Sequence, residues 1–233
     1  MVSSAEMVDR AAAGLARVRA RIVAAGGDPA GIRIVAVTKG FGPEAALAAV
    51  ELGIFDLGEN YAAELVSKAT AVDASRDNAV GEAIRWHFLG AVQRRKVRVL
   101  APHVALWQGV SRAVEGVEIA KYTPGGAVLV EVDTTGLEGR GGASPGDVAS
   151  LVGSLNTSGV RVEGLMTVAP PGGGLSARRA FEQVTALAEE LSLTERSMGM
   201  TGDLEEAVRA GTTMVRVGEA IFGPRPARNQ LAQ

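Results

Sequence analysis

Short runs of β-branched and aromatic residues alternate along the chain with longer alanine-rich runs whose apolar positions recur at helical spacing. Such alternation is the pattern of βα units laid on a parallel sheet. After an N-terminal helix over 3–26, strands are expected at 32–38, 55–57, 86–89, 104–108, 128–132, 162–166, near 197–198 and at 214–217. Helices are expected to begin near Pro43, Asn60, Val92, Ser111, Pro145, Ala177, Gly202 and Glu219, several at proline or a capping residue. About eight strands in a chain of this length fit a closed (β/α)8 barrel, although an open doubly wound sheet has the same local pattern. The strand ends favour the barrel. Nearly all finish in polar or glycine residues, among them Lys39-Gly40, Glu59-Asn60, Gln108-Gly109, Thr201 and Gly218, which would ring one mouth. An open dinucleotide-binding sheet would carry G-x-G-x-x-G after its first strand, a spacing that Lys39-Gly40-Phe41-Gly42-Pro43 lacks.

Composition narrows the function classes. At 233 residues and 47% hydrophobic, the chain can bury a core without staples, and no linker or internal repeat beyond the βα alternation divides 1–233 into smaller domains. Lysine plus arginine number 24 against 26 aspartate plus glutamate, so no whole-chain footprint for nucleic acid or an anionic membrane exists. Cysteine is absent, which removes thiol nucleophiles and thiolate metal sites together. The first residues carry Asp9, Arg10, Arg17, Arg19 and Arg21 among alanines, unlike the apolar core of a signal peptide, and no run of about 18 apolar residues occurs. A cytoplasmic protein is expected. Glycine-rich or polar loops at 71–81, 134–142 and 169–174 are placed to move over a ligand, and the tail 224–233 lacks an apolar face.

Lys39 directly follows the apolar run IRIVAVT, so its side chain leaves the strand where a barrel has its active mouth. In a partly apolar mouth the ammonium form loses solvation, which frees the amine to attack a carbonyl and form a Schiff base. A solvated lysine ending a strand is the plainer alternative. The loops after the last two strands, MGMTGD and VRVGEA, supply Thr201, helix-start N–H groups, Arg216 and Gly218, the parts of a phosphate cup. The same glycines could serve only tight turns, with Arg216 paired to Asp203 or Glu219. Asn60 is placed either to cap a helix or to aim its amide at a ligand, and His87 either to face the barrel interior or to sit satisfied in the core. Glu131 and Asp133 share a strand face with no carboxylate pair opposite, and two separated histidines without cysteine compose no recognisable metal site.

Six blocks, AVTK ending at Lys39, GENYAAEL, WHFLGAVQRRK, GLMTVAP, SMGMTGDLEEAV and TMVRVGEAIFG, run in order from the first strand to the last. Through them the chain resembles the pyridoxal 5'-phosphate homeostasis protein family. The resemblance implies a single TIM barrel of the alanine racemase N-terminal type, preceded by a helix, with pyridoxal 5'-phosphate held covalently on Lys39. It implies further that Thr201, Arg216 and Gly218 surround the phosphate, with Asn60 near the ring. If Arg216 instead faces the pyridine nitrogen, it disfavours ring protonation and weakens the electron sink, so binding without rapid turnover follows. The implied role is cofactor storage or delivery, with pyridoxal-phosphate-dependent apoenzymes as partners and effects on amino-acid and keto-acid pools. Two alternatives stand beside it: a racemase of low activity, and a Schiff-base aldolase acting on a phosphosugar. Racemase relatives add a β-rich domain for which the ten residues after Gly223 leave no room. The sequence departs from the family pattern at Glu219, whose carboxylate would repel a phosphate unless turned away, and at Asp133 and Arg140 in the loop after the fifth strand.

Overall fold

The computed structural model describes residues 3–75, 83–137 and 139–225. Its strands β1 (Arg33–Val37), β2 (Asp56–Glu59), β3 (Arg85–Phe88), β4 (Val104–Val110), β5 (Ala127–Glu131), β6 (Arg161–Met166), β7 (Glu195–Ser197) and β8 (Met214–Val217) close into a parallel barrel. Closure comes from β1 pairing with β8, where Val35 lies opposite Arg216. Helices α1 (Ser4–Ala24), α2 (Pro43–Glu51), α3 (Ala62–Ser75), α4 (Arg94–Leu100) and α5 (Ala113–Tyr122) belong to the first half of the chain. The remainder are α6 (Val148–Thr157), α7 (Gly174–Glu190), α8 (Leu204–Arg209) and α9 (Glu219–Phe222). The fold is the closed (β/α)8 barrel with an extra N-terminal helix. Among the described residues no helix is long and apolar enough to cross a membrane.

Local chemistry explains the boundaries. Ser3 and Glu6 form a reciprocal capping box that starts α1, and Met7, Ala11, Leu15, Val18 and Ile22 then recur every three or four residues as its buried stripe. That stripe seats α1 against α2 and α9. Only glycine fits at position 14, because a Cβ there would lie 2.3 Å from the Ile221 carbonyl oxygen. Several elements are offset from their expected positions. Strand β2 continues to Glu59, and β4 runs on to Val110. Helices α3, α4 and α5 each begin two residues later than expected, after a short connection leaving the strand, whereas α7 begins at Gly174, three residues earlier. Residues 71–75 belong to α3 and not to a loop; 76–81, and the tail from 226 onward, lie outside the described residues.

Two apolar regions result. One fills the space between barrel and helices, with Trp107, Phe181 and Phe222 among its fully buried members. The other lies inside the barrel, where Val35, Leu106, Ala127, Leu129, Met166 and Met214 are buried and Val168 packs against them. Side chains alternate across each strand, so Val35, Val37 and Lys39 share the inward parity, as do Met214, Arg216 and Gly218.

Candidate active site at the barrel mouth

That inward parity carries Lys39 and Arg216 into one cavity of about 530 Å³ at the C-terminal ends of the strands. Lys39, Asn60, Thr201, Arg216 and Gly218, the five residues singled out from sequence, all line it. Lys39 is half-buried, and among the described residues its Nζ has no hydrogen bond or ion pair. Burial lowers its pKa, the Arg225 and Arg216 charges add to the effect, and Glu59 and Glu219 oppose it. The side chain is thus shifted toward the free amine, the nucleophilic form.

What holds Lys39 in this state lies one layer out. Lys68, on the buried stripe of α3, is 3% exposed. Its Nζ donates to the Thr38 carbonyl at 2.7 Å, to Glu59 Oε1 at 2.5 Å and to Glu64 Oε2 at 2.9 Å. Three acceptors use all three ammonium protons. Glu59 also accepts from Thr38 Oγ1 at 2.8 Å, and Glu64 accepts from the Gly40 amide at 2.9 Å. Both residues flanking Lys39 are therefore tied to one buried cluster. Gly40 turns the chain there with φ of 76°, a left-handed conformation that favours glycine. Burial pushes the Glu59 carboxyl up, with Lys68 pulling the other way.

Arg216, 5% exposed, is held differently. Its Nη1 donates to the Ser197 carbonyl at 2.7 Å and Ser197 Oγ at 2.9 Å, and its Nη2 donates to the Thr167 carbonyl at 2.9 Å. Neither pairing expected as an alternative, to Asp203 or to Glu219, is made. Asp203 Oδ1 instead accepts from the Met200 amide at 2.6 Å, while Glu219 turns to Arg225 at 3.3 Å. Burial pushes the guanidinium down to about 10, with Asp203 and Glu131 opposing, so it remains a cation at neutral pH.

The other candidates resolve in turn. Asn60 does not cap a helix through its side-chain oxygen, because α3 begins at Ala62 and the buried Oδ1 lacks any hydrogen-bond partner among the described residues. Gly218 permits a close approach of β8 to β1, since a Cβ would lie 2.7 Å from the Val37 carbonyl oxygen. His87 is both inward and satisfied, bonded to Asp56 and Gln108. Glu131 lines the cavity, where burial raises its pKa, but Asp133 folds back to accept from the amides of Thr135 and Gly136. Sequence reasoning missed Lys68, the place of Gln108, which is expected to ring the mouth but is fully buried outside the cavity lining, and Arg225. The first two carry a legible signal: Lys68 follows Leu65 by three residues on an apolar helix face, and Gln108 occupies the inward parity of VALWQGV.

Residues 12–226 match the family model of the alanine racemase N-terminal domain. A pyridoxal phosphate homeostasis protein of Pseudomonas aeruginosa is 33% identical, over 90% of this chain and 92% of its own. The chain belongs to the pyridoxal phosphate homeostasis protein family. Solved structures agree in fold. An unknown protein from Bifidobacterium adolescentis superposes with a TM-score of 0.84 at 29% identity, covering 94% of this chain and 95% of its own. PipY of Synechococcus elongatus, solved with PLP bound, gives a TM-score of 0.73 at 26% identity, over 88% of this chain and all of its own. The family match spans every strand of the barrel and every residue of the mouth described above.

Proposed function

We propose that the mouth binds pyridoxal 5'-phosphate and that the chain stores or delivers this cofactor without rapid catalysis of its own. The observation that carries the proposal is the pairing across one cavity of a half-buried lysine, without a partner among the described residues, and a buried arginine cation. The family's name and the PLP-bound relative support it. The residues fit the group: the lone Asn60 Oδ1 is an acceptor awaiting a donor, and Lys39 Nζ is a free nucleophile for an aldehyde. In this reading Lys39 closes a Schiff base with the aldehyde carbon, releasing its oxygen as water. Thr201 and the backbone around Gly202 and Gly218 receive the phosphate, and Asn60 meets the ring edge.

Bound to an enzyme, the cofactor supplies an electron sink that stabilises carbanions. Arg216 works against this here. Already donating to three oxygens deep in the barrel, it turns its remaining N–H groups to the pyridine nitrogen and keeps that nitrogen unprotonated. Slow chemistry and retention follow, which suits a cytoplasmic carrier serving cofactor-dependent apoenzymes and so influencing amino-acid and keto-acid pools.

Adding the cofactor to purified protein, reducing with borohydride and mapping the labelled peptide tests the site. Label confined to Lys39, and abolished in a folded Lys39→Ala variant, is expected. Label scattered over surface lysines would reject the assignment and return Lys39 to an aldolase reading. Exchange of amino-acid α-protons into deuterated water separates carrier from racemase: turnover approaching that of ordinary enzymes, about 1 per second or more, would make the chain an enzyme.

A further inference from the structure

Beside the apolar cluster inside the barrel runs a continuous line of buried polar side chains. From Arg216 on β8, hydrogen bonds run through Ser197 on β7, Gln108 on β4 and His87 on β3 to Asp56 on β2. Ser197, Gln108 and His87 are each 1% exposed or less, and the line passes beside the Met214 sulfur, 3.1 Å from Gln108 Nε2. It ends at the opposite face of the barrel, where Arg85 Nη2 meets Asp56 Oδ2 at 2.5 Å.

Each proton position follows from the one before. Arg216 has only donors, so Ser197 Oγ accepts from Nη1 at 2.9 Å and directs its single proton to Gln108 Oε1 at 2.7 Å. That fixes the amide, and its NH2 faces His87 Nδ1 at 2.7 Å. Nδ1 is therefore the bare nitrogen, Nε2 carries the proton, and it donates to Asp56 Oδ1 at 2.9 Å. Rotating the amide would set Oε1 against Nδ1, drawing the ring proton there and leaving a bare Nε2 against the Asp56 carboxylate, two acceptors in contact. The polarity thus has one self-consistent direction, with acceptors toward the arginine cation and donors toward the aspartate anion.

Resting on the reading that Arg216 faces the bound cofactor, we infer that Ser197, Gln108, His87 and Asp56 form a rod of positioning residues that holds the Arg216 guanidinium in place beneath the cavity. Burial keeps His87 in the neutral form that the rod requires, against the pull of Asp56. Burial opposes ionisation of Asp56, but hydrogen bonds from Arg85 and His87 outweigh it and hold the carboxyl well below its usual range. Packing alone gives no reason for four linked polar groups here, since apolar residues of similar volume stabilise a core as well.

Nitrogen NMR of the cofactor-free chain tests the rod independently of the cofactor. His87 should be the Nε2–H tautomer at pH 7, and the Arg216 side-chain N–H signals should exchange slowly. In His87→Leu and Gln108→Leu, checked for folding by circular dichroism, that exchange should quicken at least about tenfold, the equivalent of one net hydrogen bond. The dissociation constant for added pyridoxal 5'-phosphate should rise by about the same factor. His87→Gln, whose amide can accept from Gln108 and donate to Asp56, should restore both to within about threefold. An Nδ1–H tautomer in the wild type, or unchanged Arg216 exchange in either leucine variant, overturns the rod; the tautomer decides even if both variants fail to fold. Normal NMR behaviour with no cofactor binding to the wild type would leave the rod standing and reject the cofactor reading instead.

Discussion

Two basic side chains face each other across the mouth, and their surroundings are opposites. Behind Lys39 stands a cluster of full charges, Glu59, Lys68 and Glu64, and behind Arg216 stand the neutral oxygens of Ser197 and Thr167. The charged cluster frees its lysine by giving both carboxylates another cation to hold. The neutral cradle keeps its arginine by offering uncharged oxygens as acceptors, the Ser197 hydroxyl proton being engaged by Gln108. One surrounding yields a reactive amine and the other an inert cation, although both residues end strands of the same barrel.

The largest effect should come from deleting the cation behind Lys39. Lys68→Met leaves Glu59 buried without its partner, a loss of about 3–5 kcal/mol in a urea titration. Any folded fraction should label Lys39 more slowly with aldehyde reagents, because its amine becomes the nearest cation for Glu59. Unchanged stability and labelling would remove Lys68 from the account. Next in size is Arg216→Ala, which should weaken equilibrium binding of pyridoxal 5'-phosphate by about 1.5–3 kcal/mol. Wild-type affinity would show that the cradle holds a cation with no ligand to meet.

The smallest effect is a pH dependence on the neutral side. Burial lowers the His87 pKa below its ordinary 6.5, so between the two values the unfolded chain binds a proton that the folded chain does not. Stability is therefore lost as the pH falls below 6.5, by at most about 1.4 kcal/mol per pH unit. His87→Gln should flatten the unfolding midpoint over that window. An identical slope in wild type and variant would mean that His87 does not titrate with unfolding.

The barrel was legible because strand runs, helix runs and polar strand ends all repeat with one period. Boundaries were less so: Gly58 and Glu59 lie inside β2 because pairing with His87 and Phe88 outweighs the turn preference of glycine. The mouth residues could be read from the ends of β1, β7 and β8, where position and chemistry coincide. Lys68 and Gln108 could not be assigned a purpose from sequence, since each acts through a residue distant along the chain, Thr38 for one and Ser197 for the other.

The glycine at position 14 bears on the order of assembly. Helix α1 precedes all eight strands in the chain, yet it lies against the backbone of Ala220 and Ile221 in α9 and pairs Arg21 with Glu205 in α8. One side of its seat, α2, follows directly after the first strand, but the other, α8 and α9, comes only near the end of the barrel sequence, so part of its apolar stripe stays uncovered until then. A helix that precedes every strand thus completes its docking only after the last, and a chaperone that holds amphipathic helices would find its longest opportunity there.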